Sequence, residues 1–205
     1  MPVTKPRPDR RILRTREALR GALVSLILEK GYDAITVNQL VERANIARST
    51  FYAHHGSKES VLLDGIGSLR EYLTKAQRET QAGGVAAAER LGFSFALFLH
   101  VSSHRELYHA LMGDRGGVVM INAFRQMLAR LIRRELAGIT PTVTKGTPVP
   151  LDALMRFTTD ALMGVLIWWV EAKPLVSPEE GNRIFRQLIE PVLAANGYPG
   201  HRPLS

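Results

Sequence analysis

The chain has no cysteine among its 205 residues. That excludes disulfide staples, thiolate zinc sites, cysteine-held iron–sulfur clusters and thiol nucleophiles, and it suits a reducing compartment. Long hydrophobic runs are also scarce. The longest, Ala161 to Val170, is interrupted only by Gly164 and falls well short of the roughly 20 residues of a transmembrane helix. The N-terminus is basic but lacks the apolar stretch of a signal peptide. These absences set the expectation of a cytoplasmic protein with no membrane partner. Enzyme motifs are thin. Gly113-Asp114-Arg115-Gly116-Gly117 follows a helical pattern rather than a strand, and Lys145-Gly146-Thr147 lacks the rest of a phosphate-binding loop. No Ser-His-Asp order stands out, so neither catalysis nor a cofactor is expected. With 45% apolar and 22% charged residues, the chain is composed like a folded domain rather than a disordered one.

The charge is unevenly placed. Of the formal net charge of +8, residues 1–60 carry +5, with 11 Lys/Arg against 6 Asp/Glu. A basic N-terminal segment points either to a polyanionic partner or to a solvated face that aids solubility. Lys5 and Arg7, separated by proline, read as a flexible arm, with Arg10, Arg11 and Arg14 following. Such an arm could hold phosphates or enter a minor groove.

From Arg10 the pattern is helical. Leu19, Ala22, Leu23, Leu26 and Ile27 recur at i, i+3, i+4, i+7 and i+8, one apolar face. Gly31 ends the helix, because glycine takes the left-handed position cheaply, and Tyr32 and Ile35 then fold back on that face. Thr36-Val37-Asn38-Gln39 is a capping box opening a short helix with Val37, Leu40, Val41 and Ala44 on its apolar side. Asn45 suits a left-handed turn. A third short helix is expected from about Ala47 to His54, and Ser57 caps a long one bearing Val61, Leu62, Ile66, Leu69 and Leu73. After a break at Gly83-Gly84, helices are expected at about 85–101, 104–112, 116–137, 151–172 and 178–195. Ser103-His104-Arg105-Glu106 reads as a second capping box, and Ser177-Pro178-Glu179-Glu180 as a strong helix start. No alternating strand pattern or internal repeat is visible. The expected class is all-α, with about nine helices.

Residues 36–54 have the spacing of a helix-turn-helix, whose second helix enters the major groove of DNA. That helix carries Arg48, Ser49, Thr50, Tyr52 and His54, while Phe51 and Ile46 supply the docking side. Lys58 begins the next helix, where a cation and unpaired backbone N–H groups can meet a phosphate.

At these residues the chain resembles the TetR/AcrR family of bacterial transcriptional regulators. The resemblance runs through Thr15-Arg16-Glu17, Gly31-Tyr32, Ile35-Thr36-Val37, Ala44-Asn45-Ile46 and Ser49-Thr50-Phe51-Tyr52-Ala53-His54 to Ser57-Lys58-Glu59. It implies a DNA-binding domain at 1–60 with a basic arm, and a larger helical domain for ligand binding and dimerisation at 61–205. It further implies a homodimer that binds a double-stranded DNA operator and is released by an unknown small-molecule effector. Arg48 becomes the candidate for base readout, with Ser49 and Thr50 on the same arc. Thr36, Tyr52, His54 and Lys58 match backbone-contacting positions, although Tyr52 also reads as a packing ring and Thr36 as a simple cap. Three positions depart from the family pattern. Asn45 replaces the turn glycine, Ala47 replaces the capping serine, and His55 replaces an apolar residue. His55 either points outward or makes the domain sensitive to acid.

In the larger domain, Phe95, Leu99, Tyr108, Met112, Met120, Phe124, Met127 and Trp168 are pocket candidates, since Met and aromatics suit an adaptable apolar cavity. Taken singly, each reads first as ordinary core. Phe157, Ala161, Val165, Phe185, Leu188, Ile189 and Val192 are candidates for the dimer interface on the last two helices. His100, His104 and His109 are read as structural or pocket-edge groups, because the break at Ser103 parts the first two, and no metal site is expected. Three other readings stay open, among them a membrane-surface protein that uses the basic arm. Another is a small-molecule-binding protein that has lost its use of the DNA domain. The third is a dimerising regulator with no inducer response.

Overall fold

The structure is a computed structural model that describes residues 10–82, 90–112, 118–137, 141, 149–173 and 175–198. Among the described residues there are nine α-helices and no strand: α1 (Arg10–Lys30), α2 (Val37–Arg43), α3 (Arg48–His54), α4 (Lys58–Ala82), α5 (Phe93–Ser103), α6 (Arg105–Met112), α7 (Val118–Leu136), α8 (Leu151–Glu171) and α9 (Pro178–Ala195). The expected arm with Lys5 and Arg7, the Gly83-Gly84 break, the turn from Gly113 to Gly117 and most of the 138–150 loop lie outside the described residues.

The first three helices close on one apolar face. Leu19, Ala22, Leu23, Leu26 and Ile27 of α1 are all buried, and Tyr32, Ile35, Leu40, Val41 and Phe51 cover them. Local signals set the corners. Gln39 N–H donates to Thr36 Oγ1 at 3.3 Å and Thr36 N–H donates to Gln39 Oε1 at 3.0 Å, so the capping box is complete. Gly31 and Asn45 take the left-handed conformation, with φ of 79° and 53°. At α4, Ser60 N–H donates to Ser57 Oγ at 3.4 Å, the cap expected there.

Helix α4 serves two cores. Val61 and Leu62 belong to the N-terminal one, and Leu69 and Leu73 to the larger C-terminal one. A division at residues 60 and 61 therefore falls inside its first turn. Leu111 of α6 and Met120 of α7 also enter the N-terminal core, and α1 packs against both α4 and α6.

Helix α8 packs against α6, α7 and α9 at the centre of the C-terminal core. By length and composition it alone among the described residues could cross a membrane. The uninterrupted run understated this, because the helix extends beyond it at both ends. Half of its most apolar stretch is nevertheless buried inside the protein. Its C-terminal end, which has no basic residue of its own, is capped from α6: Arg105 donates to the carbonyls of Trp169 and Val170, and its guanidinium lies 4.8 Å from the centre of the Trp169 ring.

Two local expectations are corrected. Helix α5 begins at Phe93, after a turn at 90–92 in which Leu91 takes the left-handed conformation (φ 59°). A buried leucine there is strained, and it is held because its N–H donates to the Glu135 carboxylate of α7. Gln77 of α4 donates to the other carboxylate oxygen at 2.7 Å, and burial pushes the Glu135 carboxyl above the usual range. Ser103 does not cap α6. It is the last residue of α5, and its hydroxyl donates back to the Leu99 carbonyl at 3.1 Å.

Candidate DNA-reading surface and interior cavity

Helix α3 has only seven residues and no side-chain cap at Ala47. Its stability comes from packing. Phe51 is fully buried beneath it, and the backbone carbonyl of Ala47 accepts from Phe51 N–H at 3.1 Å. Burying Phe51 turns Arg48, Ser49, Tyr52 and Ala53 outward, all exposed. The Arg48 guanidinium lies 5.6 Å from the centre of the Tyr52 ring, one turn on, which holds two reading groups together. Ala53 belongs to this arc, and residue type alone gave no signal for it. Thr50 is half-buried at its edge and His54 half-buried at its end. Thr36 is exposed, and its cap uses only an acceptor site, so its O–H remains available to a phosphate.

Lys58 does something other than what its position suggests. Its ammonium donates to the carbonyls of Tyr32, Asp33 and Ile35 at 3.0, 3.3 and 3.0 Å, and sits 4.4 Å from the centre of the Tyr32 ring. All three N–H donors are spent on the corner between α1 and α2, so Lys58 clamps that corner to α4 rather than waiting for a phosphate.

His55 also departs from the outward reading. It is buried, its ring tilted against Phe51, and Nδ1 lies 3.2 Å from Ser60 Oγ. Nε2 has no partner. Burial lowers its pKa, partly opposed by the Asp64 carboxylate. A polar side chain thus occupies an apolar site in its neutral form.

A short, outward, polar helix braced by two others on one apolar face is the geometry of a helix-turn-helix reader. Residues 19–64 match the family model described as bacterial regulatory proteins, tetR family, and residues 92–191 match one described as a transcriptional regulator C-terminal region. The chain belongs to the TetR family. An uncharacterised HTH-type transcriptional regulator of Bacillus subtilis, YxbF, is 33% identical over 113 residues, which is 53% of this chain but 29% of that protein. A TetR transcriptional regulator from Streptococcus agalactiae superposes with a TM-score of 0.65 at 26% identity, covering 88% of this chain and 96% of the other. FadR of Thermus thermophilus, a TetR-family repressor solved with lauroyl-CoA, shares the fold at a TM-score of 0.58 and 19% identity, over 93% of this chain and 98% of that one. Both matched models describe regulators of transcription, and the helix-turn-helix lies within the first match, while the chain spans a third or less of the curated relatives it matches.

A cavity of about 190 Å³ lies among α1, α4, α6 and α7, with His100 and His104 at its edge. Of the eight pocket candidates, Tyr108, Met120 and Phe124 line it. Met127 is buried in the core but does not reach it, and the Met112 side chain lies outside the described residues. Phe95, Leu99 and Trp168 are 39%, 38% and 47% exposed and lie off the cavity, because they sit on the outer sides of their helices. Its other walls include Leu23 and Ile27, read in the sequence as the apolar face of the first helix, together with Arg20 of α1 and Val61 and Gly65 of α4. His100 and His104 stack at 4.6 Å, and His104 Nδ1 lies 2.9 Å from the His100 carbonyl, which identifies Nδ1 as the protonated nitrogen. Burial, aided by His104, holds His100 down to about 4. No cluster of three metal-ligating side chains occurs among the described residues.

The proposed interface residues divide. Phe157 and Leu188 are 54% and 60% exposed, and Ala161 and Val165 are half-buried on the same side of α8 as Phe157. Trp168 continues that α8 stripe. Phe185 and Ile189 are instead buried in the chain's own core, with Val192 packed against it. They face α5 and α8 of the same chain, so they cannot meet a partner directly.

Proposed function

We propose that this chain is a homodimeric repressor that grips a palindromic operator through α3 and is released by a small-molecule effector. The observation that carries this is the outward arc of Arg48, Ser49 and Tyr52 on a helix anchored by a fully buried Phe51. Bidentate Arg–guanine contacts provide about 1–3 kcal/mol of base discrimination, and Arg48 is the group with that reach. The stripe on α8 of exposed Phe157 and Trp168 with half-buried Ala161 and Val165 between them, beside exposed Leu188 on α9, supports pairing by a two-fold axis. Two α3 helices would then meet half-sites about one DNA turn apart or more. The cavity against α1 and α4 offers an effector a place to act, and FadR's lauroyl-CoA complex is a precedent for ligand binding in this fold. The reading includes a cytoplasmic location and no catalytic role.

The test is a titration against the DNA upstream of the chain's own gene, with random duplex as competitor, at two salt concentrations. Preference that survives the higher salt supports sequence-specific regulation. Equal, steeply salt-dependent binding to both duplexes would mean that only the basic charge acts, and would overturn the reading.

A further inference from the structure

The cavity joins the two cores. Leu23 and Ile27 of α1 form one side, Gly65 of α4 another, and Tyr108 and Phe124 the far side. A molecule held there touches the helix that carries the DNA-binding domain and α6 at the same time. Its walls are mostly apolar, yet two polar groups on them have no hydrogen-bond partner among the described residues. Tyr108 is 4% exposed and its hydroxyl makes no hydrogen bond among the described residues. The ring nitrogens of His100 make none either. Both groups are therefore free to bond a ligand that enters the cavity.

Size and lining define the class of ligand. A dry apolar cavity of about 150 Å³ accommodates benzene, and this one, at about 190 Å³, leaves room for a small substituent. The Tyr108 and Phe124 rings meet edge to face at 5.8 Å, which gives a flat ring an aromatic wall. We propose that the cavity binds a neutral single-ring aromatic molecule with one oxygen substituent, phenol being the simplest, its oxygen placed between the Tyr108 hydroxyl and the His100 ring. This rests on the effector-released reading above and names its ligand class and site. Burial keeps His100 uncharged at neutral pH, so it accepts a proton-bearing oxygen and offers no positive charge to an anion.

The probes are phenol and benzoate, titrated at pH 7 into the full-length protein by calorimetry and by thermal shift. Phenol is expected to bind saturably and raise the melting temperature. Tyr108→Phe should weaken it about ten-fold, the effect of one lost buried hydrogen bond. Gly65→Leu should abolish it by filling the cavity. A Cβ at Gly65 meets only the Arg20 Cδ, at 3.9 Å, so the backbone admits the change. No saturation up to millimolar phenol, equal phenol affinity in Gly65→Leu, or tighter binding of benzoate would each overturn the proposal. Should Gly65→Leu fail to fold, unchanged affinity in Tyr108→Phe decides against it alone. The two readings fail separately. Specific DNA binding without phenol binding overturns the site and leaves the regulator. Phenol binding with no change in DNA affinity supports the site and overturns effector release.

Discussion

Replacing Lys58 by Met separates a structural role from a DNA-contacting one. The Lys58 ammonium fills three backbone carbonyls at the α1–α2 corner and lies over the Tyr32 ring. Methionine keeps most of the apolar stem and removes every donor. The Asp33 carbonyl contact is exposed, so water replaces it readily. The Tyr32 and Ile35 carbonyl contacts are partly buried and are the ones that count. Hydrogen bonds to a charged group are each worth about 1.5–3 kcal/mol net, and those to partly solvated carbonyls belong at the low end. The cation–π contact adds about 0.5–1 kcal/mol. A total loss of about 3.5–4 kcal/mol follows, which in a chain of this length lowers the melting temperature by about 7–16 °C.

Two measurements check it. Thermal denaturation of the variant should show the fall, and the salt dependence of DNA binding should keep its slope at temperatures where the variant is folded. If Lys58 instead contacted a phosphate, the slope would drop by about 0.9 per lost contact, with little change in stability. An unchanged melting temperature with a reduced slope would refute the clamp.

Three further outcomes follow from particular contacts. Gly181→Ala should destabilise the fold by about 1–3 kcal/mol despite alanine's better helix propensity. Its Cβ would lie 2.8 Å from Trp169 Cδ1 and 2.9 Å from Phe98 Cδ1, two fully buried rings, and a melting temperature at or above that of the parent would contradict this. Stability should fall on acidification: His100 is protonated in the unfolded chain below its ordinary 6.5 but in the folded one only near 4, so its contribution is intact above pH 6.5 and lost as pH falls from there to about 4. His55 acts in the same direction, with its window opening at 6.5. Urea midpoints at pH 7, 5.5 and 4.5 should decline less steeply in His100→Gln than in the parent, and parallel curves would show that His100 is not responsible. Arg48→Ala should weaken binding to a specific site by about 1–3 kcal/mol while leaving the melting temperature unchanged, because its side chain is exposed. Retained specificity would remove α3 from the reading.

What the sequence disclosed, and what it did not, follows the distance over which each feature is decided. The apolar face of α1, the Thr36–Gln39 box, Gly31, Asn45 and the Ser177 cap are settled within four residues of chain, and all are as expected. Ser103 shows that even a local motif yields when the preceding helix extends through it. Lys58 could not be read at all from its neighbours, since the carbonyls it binds lie 23 to 26 residues earlier and converge only when α1, α2 and α4 pack. The cavity is a stronger case. Its walls run from Arg20 to Phe124, so residues that read as domain core on the one hand and as pocket lining on the other become one surface. In α9 the apolar stripe was visible, but its width is shared between two neighbours. Phe185 and Ile189 turn to the chain's own core and Leu188 turns away, and only the docking angle of α9 on α5 and α8 divides them. His55 is buried for a related reason. Ser60, in the first turn of α4, reaches its Nδ1, so a single hydroxyl five residues on admits an imidazole to a place where an apolar side chain was expected. That bond satisfies one nitrogen, and Nε2 has no partner among the described residues, which is why the substitution is compatible with the fold at neutral pH and becomes a liability in acid.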